Sequence, residues 1–326
     1  MKQSLGEFDL IQRFFQRPAQ RSPLGIGDDC ALLAPRPGMQ LAVSSDMLVQ
    51  GRHFLPDVDP RLLGHKALAV NLSDLAACGA QPLAFTLALA LPHGDADWCQ
   101  SFSEGLFALA DAHGCELVGG DTTQGPLNIC ITVFGEVPAG QAILRSGAQV
   151  GDDIWVSGTL GDARLALDAL LRQHMLPAPV LAQARQRLEA PTPRVALGQA
   201  LRGIATSALD VSDGLLGDLQ HILHASGVGA SIDARATRSL LAASQHPLMR
   251  AVASNRIDAC TLAGGDDYEL CFTAPSNHRA GVEAAGRACA TAVTRIGTIE
   301  ALPGLRIFGP HGERLQQRWP GFDHFA

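Results

Sequence analysis

At 326 residues, 47% of them hydrophobic and 17% charged, the chain can hold two domains with separate cores, and it is neither fibrous nor disordered. The net charge is −7 and the 25 basic residues are scattered without a Lys/Arg block, which argues against a nucleic-acid partner or an anionic-membrane surface. An acidic protein can still handle phosphates when divalent cations supply the positive charge. The eight cysteines (30, 78, 99, 115, 130, 260, 271, 289) form no C-x-x-C pair and lie mostly in apolar runs, so they read as reduced core residues of a cytoplasmic protein. No apolar run approaches a membrane span, and the expectation is a soluble chain.

The first fifteen residues read as an amphipathic helix with Leu10, Ile11, Phe14 and Phe15 on one face. After a polar, Pro-bearing loop, Gly25–Leu33 predicts a glycine turn that carries Asp28 and Asp29 into a strand. Gln40–Ser45 predicts the next strand, ending at Asp46, and a loop with Arg52 and His53 follows. Lys66–Ala80 reads as a buried helix closed by Gly79, with Asp74 in an otherwise apolar setting that demands a partner for the charge. Ala84–Leu91 alternates as a strand does, and Asp95 caps a helix with Trp98, Phe102, Leu106 and Leu109 inward, stopped by Gly114. A short strand, Cys115–Val118, opens into a Gly119-Gly120-Asp121 turn, and Leu127–Val137 alternates again.

Residues 138–151 are turn-rich and carry Arg145, which sets domains at 1–138 and 150–326. The second begins with strand Asp153–Ser157 and a helix capped by Asp162. Helices broken at Pro191 and Pro193 lead to strand Ala205–Val211, helix Leu215–Ala225 and strand Val228–Asp233. A Gly264-Gly265-Asp266-Asp267 turn precedes strand Leu270–Thr273. Helix Asn277–Cys289 and strands Val293–Ile299 and Leu305–Phe308 follow, ahead of an aromatic tail with Trp319 and Phe322. The fold class is α/β in the α+β sense: two domains of mixed and antiparallel sheets flanked by helices.

Six segments place Asp beside Gly or Ser: Asp28/Asp29, Asp46, Asp74, Asp121, Asp210/Asp213 and Asp266/Asp267. Mg²⁺ takes oxygen ligands, a few carboxylates together with substrate phosphates, and Ser44, Ser45, Thr122 and Ser212 can add hydroxyl or carbonyl oxygens. Glycine at such turns lets backbone N–H groups approach phosphate oxygens. Taken singly, each pair is more often turn chemistry, and Asp210 and Asp213 also suit a helix cap. Taken together they point to Mg²⁺-dependent phosphate chemistry. There is no G-x-x-x-x-G-K-[ST], which excludes a P-loop kinase, and no G-x-G-x-x-G after the first strand, which makes a dinucleotide fold unlikely.

GIGDDCALL, SSDMLVQGRHF, NLSDLAACGA, GGDTT, ILRSGAQVGDDIWVSGTLGDA, LDVSDGL, GGDDYELCF and GFDHF occur in this order. Together they resemble the thiamine-monophosphate kinase family of the aminoimidazole-ribonucleotide synthetase-like superfamily, over essentially the whole chain. The resemblance implies ATP-dependent phosphorylation of thiamine monophosphate to thiamine diphosphate. It also implies a homodimer that pairs the N-terminal sheets, with ATP in a cleft beside that interface. Asp28, Ser44, Ser45, Asp46, Asp74, Asp121, Asp210 and Asp213 would match the magnesium ligands. Gly120, Asp121, Arg145 and Ser212 would match the nucleotide contacts, and His53, Asp266 and a tail aromatic (Trp319 or Phe322) the thiamine side. The family more often carries Glu where Asp266 stands; Gln50, Arg52, Cys30 and Cys78 also depart from its pattern. Rival readings are another ATP-dependent synthetase of the superfamily, which as a selenophosphate synthetase would need a reactive Cys near the N-terminus, and a Mg²⁺-dependent phosphatase. A Ca²⁺-binding protein would need an EF-hand loop, and none is present.

Overall fold

The structure, a computed structural model, describes residues 6–249, 254–316 and 319. The chain forms two compact units, Met1–Leu75 with Ala80–Gly140, and Ala76–Gly79 with Gln141–Ala326.

The first unit opens with a single helical turn, α1 (Glu7–Leu10), that runs on as a π-type turn, Ile11–Phe15, and buries Leu10, Phe14 and Phe15. The strand expected over residues 25–33 does not form. Only isolated bridges join Leu24 to Leu32 and Ile26 to Asp28, and Cys30 is exposed rather than core. The reason is local: Asp28 Oδ1 accepts the N–H of Asp29 at 2.9 Å, a bond that competes with a strand ladder. Then come β1 (Met39–Val49), α2 (Pro60–Ala77), β2 (Gln81–Leu91), α3 (Ala96–His113), β3 (Glu116–Gln124) and β4 (Asn128–Pro138).

The sheet order is β1-β4-β2-β3, with β4 antiparallel to β1 and β2, and β3 parallel to β2. One face is apolar and closed: Phe85, Leu87, Leu89, Ile129, Ile131 and Val133 are all buried. Along β1, the alternate residues Leu41, Val43 and Met47 are instead exposed. Helix α2 starts six residues before the expected Lys66, because Asp59 accepts the N–H of Arg61 at 2.8 Å and Pro60 has a ring preset for a first helical position. It ends as expected: Gly79 is left-handed, and the Ala80 N–H returns to the Leu75 carbonyl. Helix α3 is capped by Asp95, which accepts from Asp97 and Trp98, and is stopped by left-handed Gly114. The Gly119–Thr123 segment is not a turn; it stays inside β3, paired to β2 through a register shift.

The second unit contains β5 (Asp153–Ser157), α4 (Asp162–Leu170), α5 (Ala178–Glu189), α6 (Val195–Ala200), β6 (Ser207–Val211) and α7 (Leu215–Ser226). It continues through β7 (Gly229–Asp233), α8 (Ala234–Arg238), α9 (Ser254–Ala263), β8 (Glu269–Ala274), α10 (Arg279–Ala288), β9 (Val293–Glu300) and β10 (Gly304–Phe308). Its six strands run in the order β10-β7-β9-β5-β8-β6 around a core that includes Ile154, Val156, Leu209, Leu219 and Ile232. Helices α8 and α9 were not legible from periodicity. They are tied to each other by Arg238, whose Nε and Nη2 donate to the two oxygens of Asp258 at 2.6 and 2.7 Å. Asp162 does not cap α4. Gly161 holds that position, and the buried Asp162 carboxylate accepts instead from the N–H groups of Ala242 and Ala243 at 3.0 and 2.8 Å.

Candidate active site

In the first unit, β3 and the Gly25–Ala31 segment enclose a cavity of about 280 Å³. Its walls include Asp28, Asp29, Gly119, Gly120 and Asp121, so two of the expected metal ligands (Asp28 and Asp121) and two of the expected nucleotide contacts (Gly120 and, again, Asp121) share one space. Gly120 has a φ of +145°, and a Cβ there would lie 1.9 Å from the Leu87 carbonyl oxygen. Only glycine fits, and the backbone stays bare at the cavity wall. Ile11, Phe15 and Thr86 also line the space. Sequence reasoning missed that role: the two apolar residues read as core and Thr86 as an ordinary strand position.

A second cluster in this unit joins β1 to α2. Ser44 Oγ donates to Asp74 Oδ2, and the Asp46 N–H donates to Asn71 Oδ1 at 3.1 Å. Ser45 Oγ donates to the Ile131 carbonyl at 3.1 Å and lies 3.0 Å from Thr132 Oγ1, so its hydroxyl is already engaged by β4. His53 Nδ1 accepts the N–H of Val49 at 3.0 Å, which leaves Nε2 as the protonated nitrogen of the neutral ring. Buried Lys66 donates to the His53 carbonyl at 3.2 Å and anchors the turn.

In the second unit, Asp210 is buried at the end of β6, and Ser212 and Asp213 occupy the turn before α7. Neither Asp caps the helix. The cap position is Gly214, and the three N–H groups of Ser212, Asp213 and Gly214 all donate to Asp218 Oδ2, at 3.0, 3.1 and 3.1 Å. Burial pushes the Asp218 carboxyl up to about 7; the amide bonds oppose that shift and the Asp213 carboxylate adds to it. The Gly264–Tyr268 loop packs on the same turn: the Asp266 N–H donates to the Ser212 carbonyl and the Tyr268 N–H to that of Val211, each at 2.8 Å. Asp266 and Tyr268 are both left-handed, at φ +66° and +52°, and Tyr268 Oη donates to Asp266 Oδ1 at 3.2 Å.

The remaining acids of that loop are structural. Asp267 is buried and accepts the Gly161 N–H with both oxygens, at 3.0 and 2.9 Å, and burial holds its carboxyl well above the usual range. Glu269, fully buried, accepts from Ser157, Arg187 and Arg194 at 2.6, 2.7 and 2.5–2.6 Å. Arg145 is exposed, and its carbonyl accepts from Ser226 Oγ at 3.4 Å. Trp319 is half-buried against the second-unit core, its indole Nε1 with no hydrogen-bond partner among the described residues. Phe322 lies outside the described residues.

Among the described residues, no three His, Cys, Asp or Glu side chains form a ready metal cage. The donor chemistry fits Mg²⁺ all the same. That ion is normally held by one or two carboxylates together with water and substrate phosphate, and the groups gathered here are carboxylate and hydroxyl oxygens.

Residues 27–137 match the family described as AIR synthase related protein, N-terminal domain, and residues 140–309 its C-terminal domain. Thiamine-monophosphate kinase of Salmonella typhimurium is 47% identical over 98% of both chains. A crystal structure of thiamine-monophosphate kinase from Stenotrophomonas maltophilia superposes with a TM-score of 0.84 at 45% identity, covering 96% of this chain and 99% of that one. A further structure, AaThiL complexed with AMPPCP and TMP, reaches 0.76 at 29% identity, covering 90% and 89%. On these likenesses the chain belongs to the thiamine-monophosphate kinase family.

Proposed function

We infer that the chain transfers the γ-phosphoryl group of ATP to thiamine monophosphate, giving thiamine diphosphate and ADP. The reading is carried by the cavity walled by Asp28 and Gly120–Asp121, in a chain nearly half identical to thiamine-monophosphate kinases along its length. At about 280 Å³ that cavity is smaller than the pockets that enclose a whole ligand, so it suits part of one, such as a phosphate tail.

The acceptor is a phosphate monoester with a second pKa of about 6, so it is already ionised at neutral pH and needs no strong general base. The task is to hold two anions in line, and positioning with charge stabilisation is what a site rich in Asp and poor in His provides. We assign Asp28, Ser44, Ser45, Asp46, Asp74 and Asp121 on the first unit, and Asp210 and Asp213 on the second, to Mg²⁺. When bound, several such ions would neutralise the polyphosphate and acceptor oxygens. Bare backbone at Gly120 admits phosphate oxygens without a side chain in the way. Arg145 and Ser212 hold the nucleotide, the arginine through its forked guanidinium. His53, its Nδ1 occupied, offers the Nε2 proton to the acceptor phosphate. The Asp266 carboxylate and the Trp319 face suit the cationic thiazolium.

We further propose a cytoplasmic homodimer. Exposed Leu41, Val43 and Met47 on the edge strand β1 favour a partner on that sheet face, and no disulfide joins any of the eight cysteines, which suits a reducing compartment. A monomeric mass by light scattering at micromolar concentration would refute the dimer. The catalytic reading is tested by Asp46→Ala, which abolishes thiamine diphosphate formation and leaves the circular dichroism spectrum unchanged; retained turnover would remove Asp46 from the ligand set.

A further inference from the structure

We infer that Asp218 is a positioning residue that sets the shape of the Ser212–Gly214 turn and so the place of the Asp213 carboxylate; the inference rests on the assignment of Asp210 and Asp213 to the metal and of Ser212 to the nucleotide. An acid in the first turn of a helix ordinarily faces solvent and favours the helix N-terminus by charge alone. Asp218 is different on two counts. It is buried, at 5% exposure, and it reaches back past the cap position to residues that precede α7. One oxygen, Oδ2, takes three consecutive N–H groups, from Ser212, Asp213 and Gly214.

Three successive amides aimed at one point form the concave arrangement that elsewhere receives a phosphate oxygen. Here the chain's own carboxylate fills it. These amides are therefore not open to nucleotide, and the turn addresses its ligand through the Asp213 and Ser212 side chains instead. The other side of the turn is held as firmly. Its carbonyls at Val211 and Ser212 accept from Tyr268 and Asp266, and a Cβ on Gly265 would lie 2.4 Å from the Ser212 oxygen. A Cβ on Gly214 would come within 2.8 Å of the Ala263 carbonyl carbon. The turn is clamped between Asp218 and the Gly264–Tyr268 loop, and replacing the Asp218 carboxyl loosens one side of the clamp.

The test uses Asp218→Asn in the full-length protein, with Asp210→Asn and Asp213→Asn as controls for the underlying assignment. Three readouts are taken: the Mg²⁺ concentration for half-maximal rate, the KM for thiamine monophosphate, and hydrogen–deuterium exchange of the peptide spanning 211–218. Paramagnetic Mn²⁺ binding in the presence of a non-hydrolysable ATP analogue reports the cation site without turnover. For Asp218→Asn we expect the half-saturating Mg²⁺ concentration and the Mn²⁺ dissociation constant to rise at least tenfold. The thiamine monophosphate KM should stay within twofold, while the amides of residues 212–214 exchange faster. Wild-type metal dependence, or amides that stay protected, would overturn the inference. If Asp210→Asn and Asp213→Asn leave metal binding unchanged, the ligand assignment fails first, and that result is separable from failure at Asp218 alone. Should Asp218→Asn not fold, Asp218→Glu, which keeps the charge but displaces the oxygen, takes its place under the same criteria; failure of both to fold would make the carboxylate a core group and refute the positioning role.

Discussion

Ser44 on β1 donates its hydroxyl to Asp74 in the last turn of α2, so a strand and a helix thirty positions apart meet through one oxygen pair. The bond fixes the direction of a carboxylate assigned to metal. Partners of this kind change metal affinity or activity by about 10–100-fold when removed. Ser44→Ala should lower kcat/KM by about tenfold or more at limiting Mg²⁺ and recover in part at high Mg²⁺, whereas Asp74→Asn should not recover. Steady-state rates over a Mg²⁺ titration, with thermal melts as the folding control, check both.

Gly120 allows no side chain. With φ at +145° and the Leu87 carbonyl 1.9 Å from a would-be Cβ, Gly120→Ala must strain its own backbone and push β2 and β3 apart beside the cavity. The expected cost is at least about 2 kcal/mol of stability together with a large rise in the KM for ATP. Denaturant titration and nucleotide kinetics measure the two effects separately; an unchanged KM for ATP would place the nucleotide elsewhere.

Glu116 accepts the N–H groups of Gln20, Arg21 and Ser22 at 2.7, 2.8 and 3.0 Å, pinning the segment that leads to Asp28. Burial works to raise its pKa, but the three backbone bonds outweigh burial and hold the carboxyl below its ordinary range. A carboxyl lowered in the folded state contributes stability that is present above the unfolded pKa of about 4.3 and is lost as pH falls through the folded value. Glu116→Gln should therefore cost about 1 kcal/mol at pH 7, discounted for partial exposure, and flatten the loss of stability below about pH 4. Urea titrations from pH 3 to pH 7 decide it; parallel curves for the two proteins would contradict a lowered carboxyl.

Glu269 and Asp266, three residues apart, should fail in opposite ways. Glu269 is fully buried between Arg187 and Arg194, and Glu269→Ala strands two guanidinium groups, a loss of about 3–5 kcal/mol. Asp266→Asn should keep the fold and raise the KM for thiamine monophosphate. Melting temperature and substrate kinetics on the two variants separate a structural acid from a substrate-facing one.

That contrast shows what the sequence made legible and what it hid. Period-two alternation marked Ala84–Leu91 and Leu127–Val137, and Asp95 with Gly114 bracketed α3, because those signals are local. In GGDDYEL the letters are adjacent but the roles are not. Asp267 caps Gly161 and Glu269 meets two arginines, and both partners lie at least seventy-five positions away. Helix α8 likewise depends on Asp258 twenty residues on, and Asp218 resembles any acid in a first helical turn until three amides are seen to converge on it. Asp28 and Asp121 were legible as acids beside glycine, although the turn expected at Asp121 is strand, and the cavity whose wall they share exists only in three dimensions.

The central claim is phosphoryl transfer from ATP to a phosphate ester. The purified protein, given ATP, thiamine monophosphate and Mg²⁺, should yield ADP and thiamine diphosphate in a one-to-one ratio by chromatography. Neither product should form when the vitamin phosphate is left out or the metal is chelated with EDTA. Release of inorganic phosphate without thiamine diphosphate, or ADP formation indifferent to thiamine monophosphate, would contradict the account.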